Sequence, residues 1–193
     1  LLKANAGRLD AGKMMGILKD HSSGDNPAEA AVVDVAGPVS LCVHRQDPSL
    51  PGTTAASLVA DLDGDGRRLP VYWCCLYSPC LGVYLPMFIE GELPPKLAIG
   101  TGEASGDSPW WTFHHLTREA LKMRPEERSE IRKAVQVLQA DLFDTAYHQA
   151  HTALTLIRGG REKQAARQLS SYMEKSVDRA LTMAGQLLSG QTV

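Results

Sequence analysis

No hydrophobic stretch in this sequence approaches the ~20 apolar residues needed to cross a bilayer, so a membrane partner is not expected. Neither charge dominates. Twenty Lys and Arg face 22 Asp and Glu, a net charge of −2, so nucleic-acid binding would need a local basic cluster, and none stands out. Glycine and proline are also few, 17 and 11 of 193 residues, which excludes low-complexity and collagen-like chains. The patterns G-x-x-x-x-G-K-[ST], G-x-G-x-x-G and G-x-S-x-G do not occur, so phosphate-cradling and serine-hydrolase chemistry lose their usual support. The start, Leu1-Leu2-Lys3-Ala4-Asn5, lacks the charged-then-apolar order of a secretory leader, and a cytoplasmic chain is expected. It also lacks an initiator methionine, which suggests a processed or shortened polypeptide.

Cysteine is sparse too. Cys42, Cys74, Cys75 and Cys80 are too few for the disulfide framework of a small secreted domain, and buried free thiols are expected. Cys42, His44, Cys74, Cys75 and Cys80 include zinc-ligand types, but no C-x-x-C knuckle is present. Adjacent Cys74 and Cys75 cannot aim both sulfurs at one ion from a regular strand. The expectation is therefore no metal and no cofactor.

What is present divides into two unlike stretches of one domain. Residues 1–115 hold ten of the eleven prolines and alternate like strands, whereas residues 116–193 have helical spacing. Asp10 can cap a helix over 10–19 that places Met14, Ile17 and Leu18 on one stripe. Residues 24–37 read as a loop, with Gly24, Pro27 and Gly37 as breakers. Strands are predicted at Val39–His44, Ala55–Leu62, Leu69–Tyr77 and Val83–Ile89. Asp63-Gly64-Asp65-Gly66 forms a hairpin turn between the second and third. Asp61–Gly66 imitates a calcium loop, but the twelfth position is Tyr72 inside a strand, so the turn is preferred. Ile131, Val135, Leu138, Leu142, Ala146, Ala153, Leu154 and Ile157 mark one long helix that Gly159-Gly160 ends. A second, over 161–189, carries Ala165, Leu169, Met173, Val177, Ala180, Leu181, Ala184 and Leu188. The pattern predicts an α+β fold: a mostly antiparallel sheet with cover helices, ending in a long αα-hairpin.

Few residues advertise chemistry. Cys42 and His44 share a strand face, but neighbours two apart on a strand stand ~6.6–7 Å apart, too far for a thiol–base pair. A satisfied structural histidine is the simpler reading. Trp110-Trp111-Thr112-Phe113-His114-His115 reads as an amphipathic anchor between sheet and helices. His148 and His151 are expected at the surface.

The order of segments nevertheless resembles a known family. Met14-Met15-Gly16-Ile17-Leu18-Lys19-Asp20-His21 is followed by Ser40-Leu41-Cys42-Val43-His44 and then Thr53-Thr54-Ala55-Ala56-Ser57-Leu58-Val59. The Tyr72–Pro86 strands, Trp110–Leu116 and a helical tail complete it. This resembles the C-terminal portion of the secernin and bacterial dipeptidase family of N-terminal-nucleophile hydrolases, over essentially the whole chain.

The resemblance implies the C-terminal part of a four-layer αββα sandwich. It also implies a cysteine at the mature N-terminus, whose own α-amino group, pKa near 8, serves as base. Residue one here is Leu1 and all four cysteines are internal, so no catalytic residue is assigned and this chain alone is expected to be inactive. Thr53 and Thr54 would run beside the cleft, where their hydroxyls could bind a peptide; the alternative is that they open a strand. His21 and His44 are weaker candidates for a supporting role. The partners so implied are a small peptide substrate of the whole protein and the absent N-terminal portion; an open sheet edge would add a second copy of the chain, a homo-oligomer. A non-catalytic, secernin-like interaction module is the alternative function.

Overall fold

The computed structural model describes residues 2, 5–21, 41–44 and 52–190. The expected loop at 24–37, and Val39 and Ser40 of the first predicted strand, lie outside them. Among the described residues the fold is α+β: four α-helices and a three-stranded antiparallel sheet.

Helix α1, Ala11–Leu18, starts where the sequence predicts, with the Asp10 carboxylate accepting from the Lys13 N–H at 2.7 Å. Its buried residues are Ala11, Met15 and Ile17, so Met15 rather than Met14 faces inward. Strands β1 (Ala56–Asp61), β2 (Val71–Leu76) and β3 (Tyr84–Met87) are ordered β1-β2-β3. The register sets Val59 opposite Trp73, and Cys75 opposite both Ser57 and Tyr84. Pro86 is tolerated because β3 is an edge strand, where a missing N–H costs no ladder bond on its open side. The turn after β1 is the one expected: Asp63 accepts from the Asp65 and Arg68 N–H groups, and Gly66 adopts φ +65°.

On β2 burial alternates residue by residue, with Val71, Trp73 and Cys75 inward. Trp73 stacks on Phe143 at 5.2 Å and tilts against Tyr147, and the Tyr147 hydroxyl donates to Asp61 at 2.6 Å. This seam fixes the sheet on helix α3, Pro125–Arg158. The other face is less covered: Leu85 on β3 is buried, its partner Cys74 on β2 is half-buried, and Leu58 on β1 is 58% exposed.

Helix α2, Pro109–Lys122, includes the whole Trp110–His115 run, for which the sequence predicts an anchor between sheet and helices. Ser108 caps it and Pro109 opens it, the usual preference at a first helical position. The anchor role holds. Trp110 Nε1 donates to Ala55 O at 2.8 Å and Trp111 Nε1 to Thr101 O at 3.1 Å. α3 ends as predicted, with Gly160 at φ +70° and the Arg161 N–H reaching back to Leu156 O. Helix α4, Glu162–Leu188, packs along α3. Gly91 lets the loop after β3 approach α4: a Cβ there would lie 3.0 Å from Ser170 N and 2.8 Å from Met173 Cε. Among the described residues no helix is long and apolar enough to cross a membrane.

Candidate functional site

Four side chains from three separate segments meet beside the sheet. His21 follows the C-terminal end of α1, Cys42 and His44 come from the 41–44 segment, and Cys80 comes from the turn between β2 and β3. Their donor atoms all lie within 4.8 Å of one another. Nε2 of His44 is at the middle: 3.2 Å from His21 Nε2, 3.3 Å from Cys42 Sγ and 3.1 Å from Cys80 Sγ. Cys42 also interacts with Cys80 and His21, so five of the six pairs are in contact.

The spacing argument against a Cys42–His44 contact is therefore overturned. Residues 41–44 do not pair into a strand among the described residues, and the flat spacing of a ladder does not apply to them. Alternation survives, with Cys42 and His44 inward and Leu41 outward. The segment is tied at both ends. The Cys42 N–H donates to Asp20 O at 3.1 Å, and the Val43 N–H donates to Thr54 Oγ1 at 2.9 Å. The Thr54 N–H returns a bond to Val43 O at 3.0 Å. The bond to Asp20 places His21 next to Cys42.

The third segment is delivered by a strained residue. Tyr77, just after β2, has φ +63°, a conformation that disfavours a bulky side chain. It turns the chain so that Ser78 and Cys80 both reach His44. Ser78 Oγ lies 3.3 Å from His44 Nδ1 and 3.5 Å from Thr54 O. Assigning the proton to Nδ1 lets His44 donate to Ser78, which donates on to Thr54, and leaves the Nε2 lone pair facing the cluster. Gly82 closes this turn, because a Cβ there would stand 2.6 Å from Cys75 Sγ and 3.0 Å from Ser78 O.

Cluster electrostatics are uneven. The hydrogen bond from Cys80 draws the Cys42 thiol far below its ordinary range against the cost of burial, and His21 and His44 add to this. Cys80, donating to Cys42 and partly desolvated, is held well above its ordinary range. Burial alone raises Cys74, and burial raises Cys75 to about 12. Lys19 stands near Cys42, Cys75 and Cys80, and burial lowers its pKa.

No family model, curated protein or solved structure matches this chain.

Several sequence candidates fall elsewhere. Thr53 and Thr54 border the cluster, half-buried, and each hydroxyl already has an internal partner: the Tyr77 phenol for Thr53 and the Val43 N–H for Thr54. A peptide substrate would have to share them. His148 and His151 are exposed on α3, as expected. Cys74 and Cys75 are outside the cluster. The meeting of His21 and Cys80 leaves no mark in the sequence: one sits just past a helix end, the other in a Ser-Pro break, and neither position shows periodicity.

Proposed function

We propose that this chain is the C-terminal segment of a dipeptidase-like cysteine hydrolase of the N-terminal-nucleophile class, cleaving small peptide amide bonds when whole. One observation carries the reading. The segments whose order resembles the secernin and bacterial dipeptidase family also come together in space: His21, Cys42 and His44 share one cluster of donors, and Thr54 is hydrogen-bonded to Val43 beside it. A packing requirement alone would not need polar residues from all three.

Within this reading no internal cysteine is the nucleophile. Cys42 is ionised readily but is 0% exposed, so a peptide carbonyl cannot reach its sulfur. The attacking thiol belongs to the mature N-terminus of a preceding segment. That segment would supply the second sheet of an αββα sandwich, covering the face where Leu58 is open, and α3 and α4 would form an outer αα-hairpin. Thr53 and Thr54 would line one wall of the substrate cleft. Four free thiols suit the reducing cytoplasm, and the outer edge of β1, unpaired among the described residues, offers a route to a homo-oligomer.

The test is direct. This chain alone should not hydrolyse dipeptides. Joined to an upstream segment whose mature first residue is cysteine, it should turn them over, with loss on cysteine-to-serine replacement of that first residue. Turnover by the isolated chain, abolished by thiol alkylation, would contradict the assignment.

A second reading, a non-catalytic interaction module, draws on a groove of about 1140 Å³ along α3 and α4. Met123, Ile131, Val137, Met183 and Leu187 line it, and Val137 is 73% exposed. A groove in which such apolar side chains alternate with charged ones, among them Glu127, Lys133, Asp141 and Arg179, suits an amphipathic partner helix. Dipeptide hydrolysis by the joined protein separates the two readings.

A further inference from the structure

We propose that His21, Cys42, His44 and Cys80 bind one zinc(II) ion in a closed, four-donor centre that fastens three separate segments of the chain. The inference is independent of the hydrolase reading.

The first argument is a counting one. His44 Nε2 has one lone pair or one proton, so it can make one good hydrogen bond there. Three polar atoms nevertheless converge on it at 3.1–3.3 Å. Hydrogen bonding cannot satisfy all three contacts, whichever tautomers are chosen. A cation between the four donors satisfies every one, because each lone pair then points at the ion.

Geometry agrees with the counting. Zinc bonds of about 2.3 Å to sulfur and 2.0–2.1 Å to nitrogen set tetrahedral edges of roughly 3.3 Å between nitrogens, 3.5 Å between nitrogen and sulfur and 3.8 Å between sulfurs. The observed His21–His44 separation is 3.2 Å, the two His44–Cys separations are 3.3 and 3.1 Å, and no pair exceeds 4.8 Å. Closing on an ion needs shifts of a few tenths of an ångström for these contacts.

Chemistry selects the metal. Two thiolates and two imidazoles suit a borderline-soft ion with no redox role, and four protein donors leave no open position for substrate or water. Both thiols enter as thiolates and release their protons to solvent; their two charges cancel those of the ion, so the buried centre is neutral. This matters because Lys19 and Arg132 stand nearby and would oppose a net positive site. Ligating histidines commonly use the second ring nitrogen to fix their orientation. His44 does so through Nδ1, Ser78 and Thr54 O. The turn forced by Tyr77 and the close approach at Gly82 serve the same end.

The experiment uses the full chain, prepared in zinc-supplemented medium under reducing conditions without chelator. Elemental analysis should find one zinc per chain. Added cobalt(II) should give the metal-free chain a thiolate-to-metal charge-transfer band with tetrahedral ligand-field absorption. Cys42→Ser and Cys80→Ser should each remove the zinc and weaken that band, whereas Cys74→Ser should leave both unchanged. Ser78→Ala supplies a milder probe that keeps all four ligands: the chain stays folded by circular dichroism while zinc affinity falls by about tenfold. A wild-type chain that is folded, fully reduced and still gives no cobalt charge-transfer band would overturn the proposal. So would full zinc content in a Cys42→Ser/Cys80→Ser double variant, or alkylation of Cys42 at one rate with and without added zinc.

Discussion

The buried faces of α3 and α4 carry Ile131, Val135, Leu138 and Leu142 on one helix and Leu169, Met173 and Val177 on the other, apolar and recurring every three or four residues. Around His44 the contacts are made by two thiols, an imidazole and a hydroxyl, drawn from three loops. The first region tolerates small adjustments, because an apolar contact has no required angle and its free energy follows buried area. The second depends on position, since each of its groups is costly to bury unless its partner is in place. The helical region should therefore govern global stability, and the polar cluster should govern the local order of the segments that reach it.

The largest expected effect tests the helical side. Leu142 is fully buried on α3, and Leu142→Ala should cost about 2–5 kcal/mol in denaturant unfolding. The loss should be the same whether or not the cluster thiols have been alkylated. A loss that disappears after alkylation would mean that the two regions unfold as one unit and that the contrast is false.

Gly82→Ala tests the other side. Its new methyl would collide with Cys75 Sγ and Ser78 O, which belong to the central strand β2 and to the turn that carries Cys80. A cost of about 1–3 kcal/mol is expected. Thiol titration should show Cys80 reacting faster, with the α3–α4 helicity unchanged by circular dichroism. Unchanged thiol reactivity would show that the close approach does not position the cluster.

Thr54→Val sharpens the question of what the threonine pair does. The substitution keeps the β-branched shape and removes the oxygen that accepts from the Val43 N–H. Loss of about 1–3 kcal/mol is expected, with Thr54→Ser restoring most of it. Equal stability of Thr54→Val and the parent chain would free Thr54 from its structural role and strengthen its assignment to the substrate cleft.

How far the sequence disclosed all this follows the same division. The burial stripe of α3 and α4, the Gly159-Gly160 stop and the three strands were readable because periodicity reports a face, and a face is a local property. The inward pairing of Cys42 and His44 was readable for that reason too. Their contact was not, because the ladder spacing presumed a strand that residues 41–44 do not form. Helix α2 was hidden by its aromatic start, Trp110 to Phe113, where side chains of modest helix propensity are held by contacts with Ala55 O and Thr101 O. The four-donor cluster was least visible. It depends on His21 being brought to Cys42 by the Asp20 O bond, and on Tyr77 turning left-handed, neither of which leaves a trace in spacing.

The smallest effect lies where the two regions meet. His114 on α2 stacks on Trp110 and presents its ring to Tyr77 and Trp111. Burial first, then the positive charges of Arg118 and His115, lowers its pKa. The unfolded chain takes up this proton near pH 6.5, before the folded chain does. In that window the unfolded state binds more protons, so stability must fall as pH falls from about 6.5 toward the lower folded value, and be flat above it. His114→Phe keeps an aromatic ring against Trp110 and cannot titrate. The difference between the unfolding midpoints of the two proteins, followed from neutral to mildly acidic pH, should move in favour of the variant as pH drops. A constant difference would mean that the ring titrates as it does in the unfolded chain, and that the anchor between sheet and helices is open enough for water to solvate its charge.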